Sequence, residues 1–469
     1  MACDLAGRFA AAGFRLALVG GSVRDALLGR LGDDLDFTTD ARPEQVLKLV
    51  NGWADAVWDV GIAFGTVGAG KAYVADGEPQ TAKVEITTYR SEAYGHDSRK
   101  PEVAYGESIE DDLLRRDFTV NAMAVALTGD PADITFIDPY GGLDDLAGQI
   151  LRTPGTAEMS FSDDPLRMMR AARFAAQLGF IVAPEVVKAM TDMAERLTIV
   201  SAERVQVELS KLLSAKTPRH GLTLMVDTGL AEYVLPELPK LRLEVDEHHR
   251  HKDVYEHTLI VLEQAIDLEE AGPDLILRLA ALLHDIGKPK TRRFEPGGGV
   301  SFHHHEMVGA HLTQSRLRKL KYSKEIVDDT AKLVELHLRF HGYGEDEWTD
   351  AAVRRYVRDA GPLLDRLHKL TRSDCTTRNR RRALMLEHAY DDLEKRIATL
   401  REQEELDSIR PDLDGNQIME ILGMKPGRDV GLAYKHLLEL RMDRGPMSHD
   451  AAVTELRSWW AERLTENQA

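Results

Sequence analysis

The spacing of apolar residues changes character about a third of the way along the chain. Up to about residue 150 it is mixed. Short β-rich runs, such as TAKVEITTY at 81–89, alternate with helical segments, which predicts an α+β head. Leu18 and Val19 read as the end of a buried strand, and Gly20-Gly21 as a sharp turn into an amphipathic helix beginning at Ser22 to Asp25. In Asp34-Leu35-Asp36, strand alternation puts both carboxylates on one face and Leu35 on the other. Residues 90–104, RSEAYGHDSRKPEVA, have no period and read as a mobile loop. The Asp138 to Gly142 turn cluster closes the head, and beyond it the pattern is almost wholly helical. Asp164 is placed to cap a helix whose first residue is Pro165, with Asp164, Arg167, Arg170 and Arg173 forming a drifting polar stripe. Near the C-terminus, Asp414 to Asn416 and Gly423 to Gly427 interrupt amphipathic helices. The expected organisation is a head at 1–152, a helical neck at 153–240, a third, helical domain at 241–385 and a helical C-terminal body at 386–469.

Composition narrows this picture. A chain of 469 residues with 43% hydrophobic content can bury several cores. Cys3 and Cys375, the two cysteines, are too few and too far apart for a disulfide framework, and no apolar run approaches a membrane span. A cytoplasmic protein without membrane attachment is expected. The formal net charge of -18 opposes indiscriminate nucleic-acid binding, so contact with RNA must come from a local basic surface. Candidate basic runs are Arg316, Arg318, Lys319 and Lys321, and Arg378 with Arg380 to Arg382; solvated helix faces would look the same.

The densest chemistry lies in LVGGSVRDALLGRLGDDLDFTTD, residues 18–40. Gly20-Gly21 lets an anion approach the backbone N–H groups that open the next helix, and Arg24 can add a forked contact. Asp34 and Asp36 offer the paired hard oxygens that suit Mg²⁺ together with substrate phosphates. Glu85 could supply a third carboxylate, or could be an ordinary exposed strand residue. Arg115 and Arg116 could meet phosphates, or could form surface ion pairs.

The order of these motifs, then RRDFTVNAMA at 115–124, the Asp138 to Gly142 cluster, DDPLRMMRAARF at 163–174 and SAERVQVELSKLL at 201–213, resembles the bacterial-type tRNA nucleotidyltransferases. These are the CCA-adding enzymes of the polymerase-beta-like superfamily, close kin of bacterial poly(A) polymerases. The resemblance implies that Gly21 and Arg24 bind the triphosphate and that Asp34 and Asp36 bind the catalytic metals. It implies that Arg116, Arg170 and Arg173 line the nucleotide pocket, and that Asp164 and Arg167 select the base. An aspartate can accept from the amine of cytosine or adenine while an arginine donates to the adjacent ring nitrogen; uracil and guanine would mispair both groups. The expected reaction is attack of the RNA 3′-hydroxyl on the α-phosphorus of CTP or ATP, with pyrophosphate leaving. The full-length loop at 90–104 implies complete CCA addition. Asp163 departs from the family, which commonly has Glu there.

The second half resembles an HD-type metal-dependent phosphohydrolase domain. His284-Asp285 ends an apolar helix before Gly287 and Pro289 stop it. By that resemblance His257, His284, Asp285 and Asp374 hold one divalent metal of transition type, and His305 with His337 complete a second site. Partners are therefore tRNA, CTP and ATP. A poly(A) polymerase and a non-catalytic RNA-binding regulator are the competing readings.

Overall fold

The computed structural model describes the chain apart from residues 31, 60, 76, 94–101, 107, 244–252, 297–299, 341–342, 344–347, 377–378, 405–409 and 467–469. It divides into two compact units, Met1–Pro236 and Glu237–Ala469.

The first unit is built on a seven-stranded sheet in the order β3-β4-β5-β2-β1-β8-β9. Its strands are β1 (Leu16–Val19), β2 (Asp34–Thr39), β3 (Ala56–Trp58), β4 (Thr66–Ala75), β5 (Glu78–Thr88), β8 (Ala124–Leu127) and β9 (Ile134–Ile137), while β6 (Arg90–Ala93) and β7 (Glu102–Tyr105) pair separately. Central β2 runs antiparallel to β1 and parallel to β5. Leu35 and Phe37 of β2, with Val84 and Ile86 of β5, face a core that also holds Leu5, Phe9, Val46 and Val50 from helices Ala2–Ala11 and Pro43–Val50. Strand alternation therefore commits Asp34 and Asp36 to the opposite face, where both are exposed.

β1 cannot run farther along β2. Its pairing ends at Leu18 opposite Phe37, because the chain turns away at Gly20, whose φ of 74° favours glycine. The short helix Gly21–Leu27 starts at once.

The expected loop at 90–104 is corrected at both ends. Arg90–Ala93 and Glu102–Tyr105 form an antiparallel ladder, and the middle of the segment, 94–101, lies outside the described residues. Four-residue strands are too short to show a period, so the Gly and Pro between them dominated the sequence pattern. Tyr105 is fixed beneath the Arg42 guanidinium, 4.2 Å from its ring centre.

Helices take over after β9. Asp138 caps Gly142–Gly148 by accepting from Gly142 N at 2.7 Å and Leu143 N at 2.9 Å. The stripe-bearing helix spans Leu166–Leu178, one residue later than expected, and Asp164 Oδ1 accepts from Leu166 N at 3.1 Å. Pro165 lies in the turn before it rather than in its first helical position. Helices Ala202–Leu213 and Pro218–Asp227 pack on it. Gly221 makes the second contact possible: a Cβ there would stand 2.3 Å from the Ala172 carbonyl oxygen.

The second unit is helical, apart from the two-residue strands Arg293–Phe294 and Val300–Ser301 among its described residues. Helices Val254–Asp267, Leu275–Leu283, His305–Lys319, Lys324–Leu336 and Leu364–Ser373 carry the histidine-rich segments. Farther on, Gly415–Leu422, Arg428–Arg444 and His449–Glu466 pack around Ile418, Leu437 and Leu456. Asp414 closes a capping box with Gln417, and Gly423 ends the first of these helices in the left-handed conformation. Gly287 is not a helix stop. It lets two backbones touch, since a Cβ would lie 2.1 Å from the His305 carbonyl oxygen, and Pro289 lies within the next short helix, Lys288–Thr291.

Candidate active site and metal centre

In the head, parallel register places Glu85 beside Asp36. Although the Asp36 side chain is open to solvent, local loss of hydration raises its carboxyl above the ordinary range; Arg116 opposes that rise, while Glu85 and Asp34 add to it. Asp34, Asp36 and Glu85 thus influence one another across neighbouring strands with Arg116 nearby, although their oxygens do not draw together into a ligand cluster of the kind seen among the histidines of the second unit. Gly20 opens the space for that arginine, because a Cβ there would stand 2.8 Å from Arg116 Nη1. Arg116 and Arg115 both pair with buried Asp112, at 3.3 and 3.1 Å.

Arg24 is braced. Its Nη1 donates to Asn121 Oδ1 at 2.6 Å, and its Nε and Nη2 donate to Asp25 at 3.0 and 2.8 Å. A guanidinium has five N–H donors, so this one is oriented and still has donors for an anion. Asn121 Nδ2 donates in turn to Asp117 Oδ1 at 2.9 Å. Asp117 Oδ2 accepts from Arg170 Nε at 2.7 Å and pairs with Nη2 at 2.5 Å. Arg173 pairs with Glu208 at 2.6 Å and lies 4.0 Å from the Phe174 ring centre; Arg24 approaches the same ring at 5.3 Å. Arg24, Arg170 and Arg173 thus converge on one aromatic side chain, and a continuous polar network joins the glycine turn to the arginine-bearing helix.

Asp164 and Arg167 sit at the start of that helix. Asp164 Oδ2 accepts from Arg204 Nη2 at 2.8 Å. Buried Arg167 donates to Ser160 Oγ at 2.9 Å and to the Arg115 carbonyl. Both side chains are therefore held by neighbours, and Arg167 is tied directly to the RRDF segment. The sequence reading singled out none of Asp117, Asn121, Ser160, Arg204 and Glu208. A charged Asp117 entering an apolar run was the available signal, because a buried charge requires a partner.

The second unit gathers six of the expected ligands. His257 Nε2 lies 3.0 Å from Asp374 Oδ1 and 3.3 Å from His284 Nε2. His284 Nε2 lies 3.2 Å from Asp285 Oδ2, and His305 Nε2 lies 3.3 Å from Asp285 Oδ1. The His337 ring is 5.3 Å from that of His284 and 5.4 Å from that of His305. Ligand atoms of His257, His284 and Asp374 lie within 4.8 Å of one another, as do those of Asp285, His305 and His337.

The backbone fixes the ring tautomers. His284, His305 and His337 each place Nδ1 on the carbonyl oxygen three residues earlier, at Ala281 (2.8 Å), Phe302 (2.9 Å) and Val334 (2.6 Å). A carbonyl only accepts, so Nδ1 carries the proton in each ring and Nε2 points its lone pair inward unless it too is protonated. His337 Nε2 is buried without a hydrogen-bond partner. This arrangement fits a divalent metal. Burial would lower the pKa of His284, yet Asp285 and Asp374 outweigh it and raise it to about 9. A divalent cation would supply the positive charge that these carboxylates otherwise draw from a proton. Burial, reinforced by His284, lowers His337 to about 3.

Of the basic runs, Arg316 is consumed by a forked pair with Glu237, while Arg380 to Arg382 are exposed and Arg378 lies outside the described residues. No helix among the described residues is long and apolar enough to cross a membrane.

This combination of carboxylate-bearing sheet, arginine helix and histidine cluster defines a nucleotidyltransferase head joined in one chain to an HD domain. Family models agree: residues 16–152 match the poly A polymerase head domain, 179–241 the probable RNA- and SrmB-binding site of polymerase A, and 254–379 the HD domain. An A-adding tRNA nucleotidyltransferase from Deinococcus radiodurans is 34% identical over 91% of both chains. A CCA-adding enzyme from Geobacillus stearothermophilus is 38% identical over 56% of this chain and 62% of its own length. The fold of a Bacillus stearothermophilus CCA-adding enzyme in complex with CTP matches all of this chain and 98% of that one, with a TM-score of 0.67 and 26% identity. The chain belongs to the tRNA nucleotidyltransferase family.

Burial alone would raise the Asp117 carboxyl, but Arg170 and the Asn121 amide overcome it and hold it at about 2, against an ordinary 3.8. A carboxylate held this low contributes stability above its unfolded pKa and loses it as pH falls toward the folded value. Asp117→Asn is expected to cost about 2 kcal/mol at neutral pH. In denaturant unfolding the gap from the parent should close between about pH 5 and pH 2; parallel curves would contradict it.

Proposed function

We propose that this chain is the enzyme that builds or repairs the 3′-terminal CCA of tRNA from CTP and ATP without a template. The observation that carries this reading is the position of Asp164, capping the helix, and Arg167, in its first turn, with that helix fastened to the head through Asp117 and Arg170. An acceptor beside a donor fits the amine and ring nitrogen shared by cytosine and adenine. It leaves uracil and guanine mispaired in a desolvated site. Gly21 and Arg24 would hold the triphosphate, and Arg116, Arg170 and Arg173 would line the nucleotide pocket, the last two beside Phe174. Asp34 and Asp36, with Glu85 alongside, would hold Mg²⁺, which suits hard carboxylate oxygens. Bound there, the metal supplies charge stabilisation for in-line displacement of pyrophosphate by the RNA 3′-hydroxyl. The protein's contribution is to fix the nucleotide at both ends, so that the hydroxyl meets an immobile α-phosphorus. We place it in the cytoplasm, where tRNA, CTP and ATP are together; no disulfide joins its two cysteines.

One observation favours a second reading. The relative that matches over 91% of both chains is named A-adding, whereas the CCA-adding relatives from Levilactobacillus brevis and Geobacillus stearothermophilus match over 52% and 62% of their lengths. Substrates truncated to different points separate the alternatives. The CCA reading expects three nucleotides on tRNA lacking the whole terminus; the A-adding reading expects one adenosine, and only on tRNA ending in CC. Extended A tails would identify a poly(A) polymerase instead. Asp34→Ala and Asp36→Ala should each lower incorporation by about 100-fold or more with tRNA affinity retained. Full activity in either variant would overturn the site.

We also infer that the HD cluster hydrolyses phosphate esters. His257, His284, Asp285 and Asp374 would hold one divalent transition metal, with His305 and His337 completing a second site. Such a metal lowers the pKa of water enough to furnish a nucleophile at neutral pH. A metal-replete preparation should cleave p-nitrophenyl phosphate or a 2′,3′-cyclic phosphate. His284→Ala should abolish that cleavage without affecting nucleotide incorporation. Inert metal-replete enzyme would refute the assignment.

A further inference from the structure

Between Val19 and the carboxylate pair, one hydroxyl occupies a place where a strand would be expected. β2 pairs with β1 only from Phe37 onward, because β1 ends as the chain turns at Gly20. The residues that carry the two carboxylates, 34 to 36, thus have β5 on one side and no strand on the other. Ser22 fills that gap. Its Oγ donates to the Asp34 carbonyl at 3.2 Å and accepts from the Asp36 N–H at 2.9 Å. One side chain supplies both halves of the missing rung, and it is buried. A hydroxyl can do this because it donates and accepts at once. Ser22 is also the second residue of the helix that follows the glycine turn, two residues before Arg24.

We propose that Ser22 is a positioning residue that couples the glycine turn to the metal-binding carboxylates. It touches no reacting atom. Its bonds lock the spacing between Asp34 and Asp36 along β2, and lock both to the turn that receives the triphosphate. A nucleotide's phosphates and its metal are thereby held by one rigid unit. Without the hydroxyl, the Asp36 N–H and Asp34 C=O lose their partners on that side, and the carboxylates gain freedom at the point where geometry decides metal affinity. The inference rests on the proposal that Asp34 and Asp36 hold the catalytic metal.

The test uses full-length chain with Ser22→Ala, Ser22→Cys, which keeps the size but bonds weakly, and Ser22→Thr, which keeps the hydroxyl. Amide hydrogen exchange on metal-free protein reads the rung directly. Exchange at Asp36 should quicken by about 10-fold or more in Ser22→Ala and in Ser22→Cys, while Thr38 and Thr39, which lie opposite β1, stay protected. Nucleotide incorporation reads the consequence. In both variants the Mg²⁺ concentration for half-maximal rate should rise by about fivefold or more and kcat should fall by about 10-fold, with tRNA affinity unchanged. Ser22→Thr should restore both. Unaltered Asp36 exchange, or altered exchange with parental Mg²⁺ dependence, would overturn the proposal. If Ser22→Ala is unstable, Ser22→Cys carries the same comparison. Full activity in Asp36→Ala would instead overturn the metal site itself, so the two failures are separable.

Discussion

The first unit depends on a buried carboxylate that would be intolerable alone. Asp117 is almost wholly removed from water, and every acceptor position it offers is used: Oδ1 by the Phe118 N–H and the Asn121 amide, Oδ2 by two nitrogens of Arg170. Removing the cationic partner would leave Asp117 as an uncompensated buried charge, whereas neutralising Asp117 itself forfeits only what the pair contributes. The head and the arginine-bearing helix therefore adopt one mutual placement. Asn121 carries the constraint to Arg24 and the glycine turn, and Glu208 carries it through Arg173 to the helix behind. A nucleotide read at its phosphates by one element and at its base by another needs such a linkage.

The sheet serves the same end. Its central strand gives one face to Leu35 and Phe37 and the other to Asp34 and Asp36, so that the core packing fixes the direction of the carboxylates. Gly20 gives both the sharp exit from β1 and the close approach of Arg116. In the second unit, backbone carbonyls do the equivalent work, orienting His284, His305 and His337 before any ion arrives. In both clusters main-chain geometry sets the direction of the side chains.

Much of this was legible in the sequence where local rules act alone. Alternation placed Asp34 and Asp36 on one face, and the turn at Gly20-Gly21 followed from residue type. The six residues singled out by the HD resemblance fall into two groups of three in the fold, with Asp285 beside His305 and His337 rather than within the first group. Partnerships across long separations were not legible. Arg24 lies 97 residues from Asn121, and Arg170 lies 53 residues from Asp117, and nothing in spacing announces such pairs. The ladder of Arg90–Ala93 with Glu102–Tyr105 escaped because its pairing, not its composition, makes it a strand pair. Helix propensity likewise overstated Pro165, whose place is set by the Asp164 carboxylate reaching Leu166 N. The stripe of Arg167, Arg170 and Arg173 was visible; that all three would be braced by carbonyl, hydroxyl or carboxylate groups was not.

The central claim is that one rigid unit reads a nucleotide at both ends. It is tested most directly by the crystal structure of the chain with CTP and a divalent cation. The account predicts cytosine with its amine against Asp164 and its ring nitrogen against Arg167, the triphosphate on Gly21 and Arg24, and the cation on Asp34 and Asp36. A base bound away from the Asp164 and Arg167 pair while the phosphates occupy the glycine turn would contradict it.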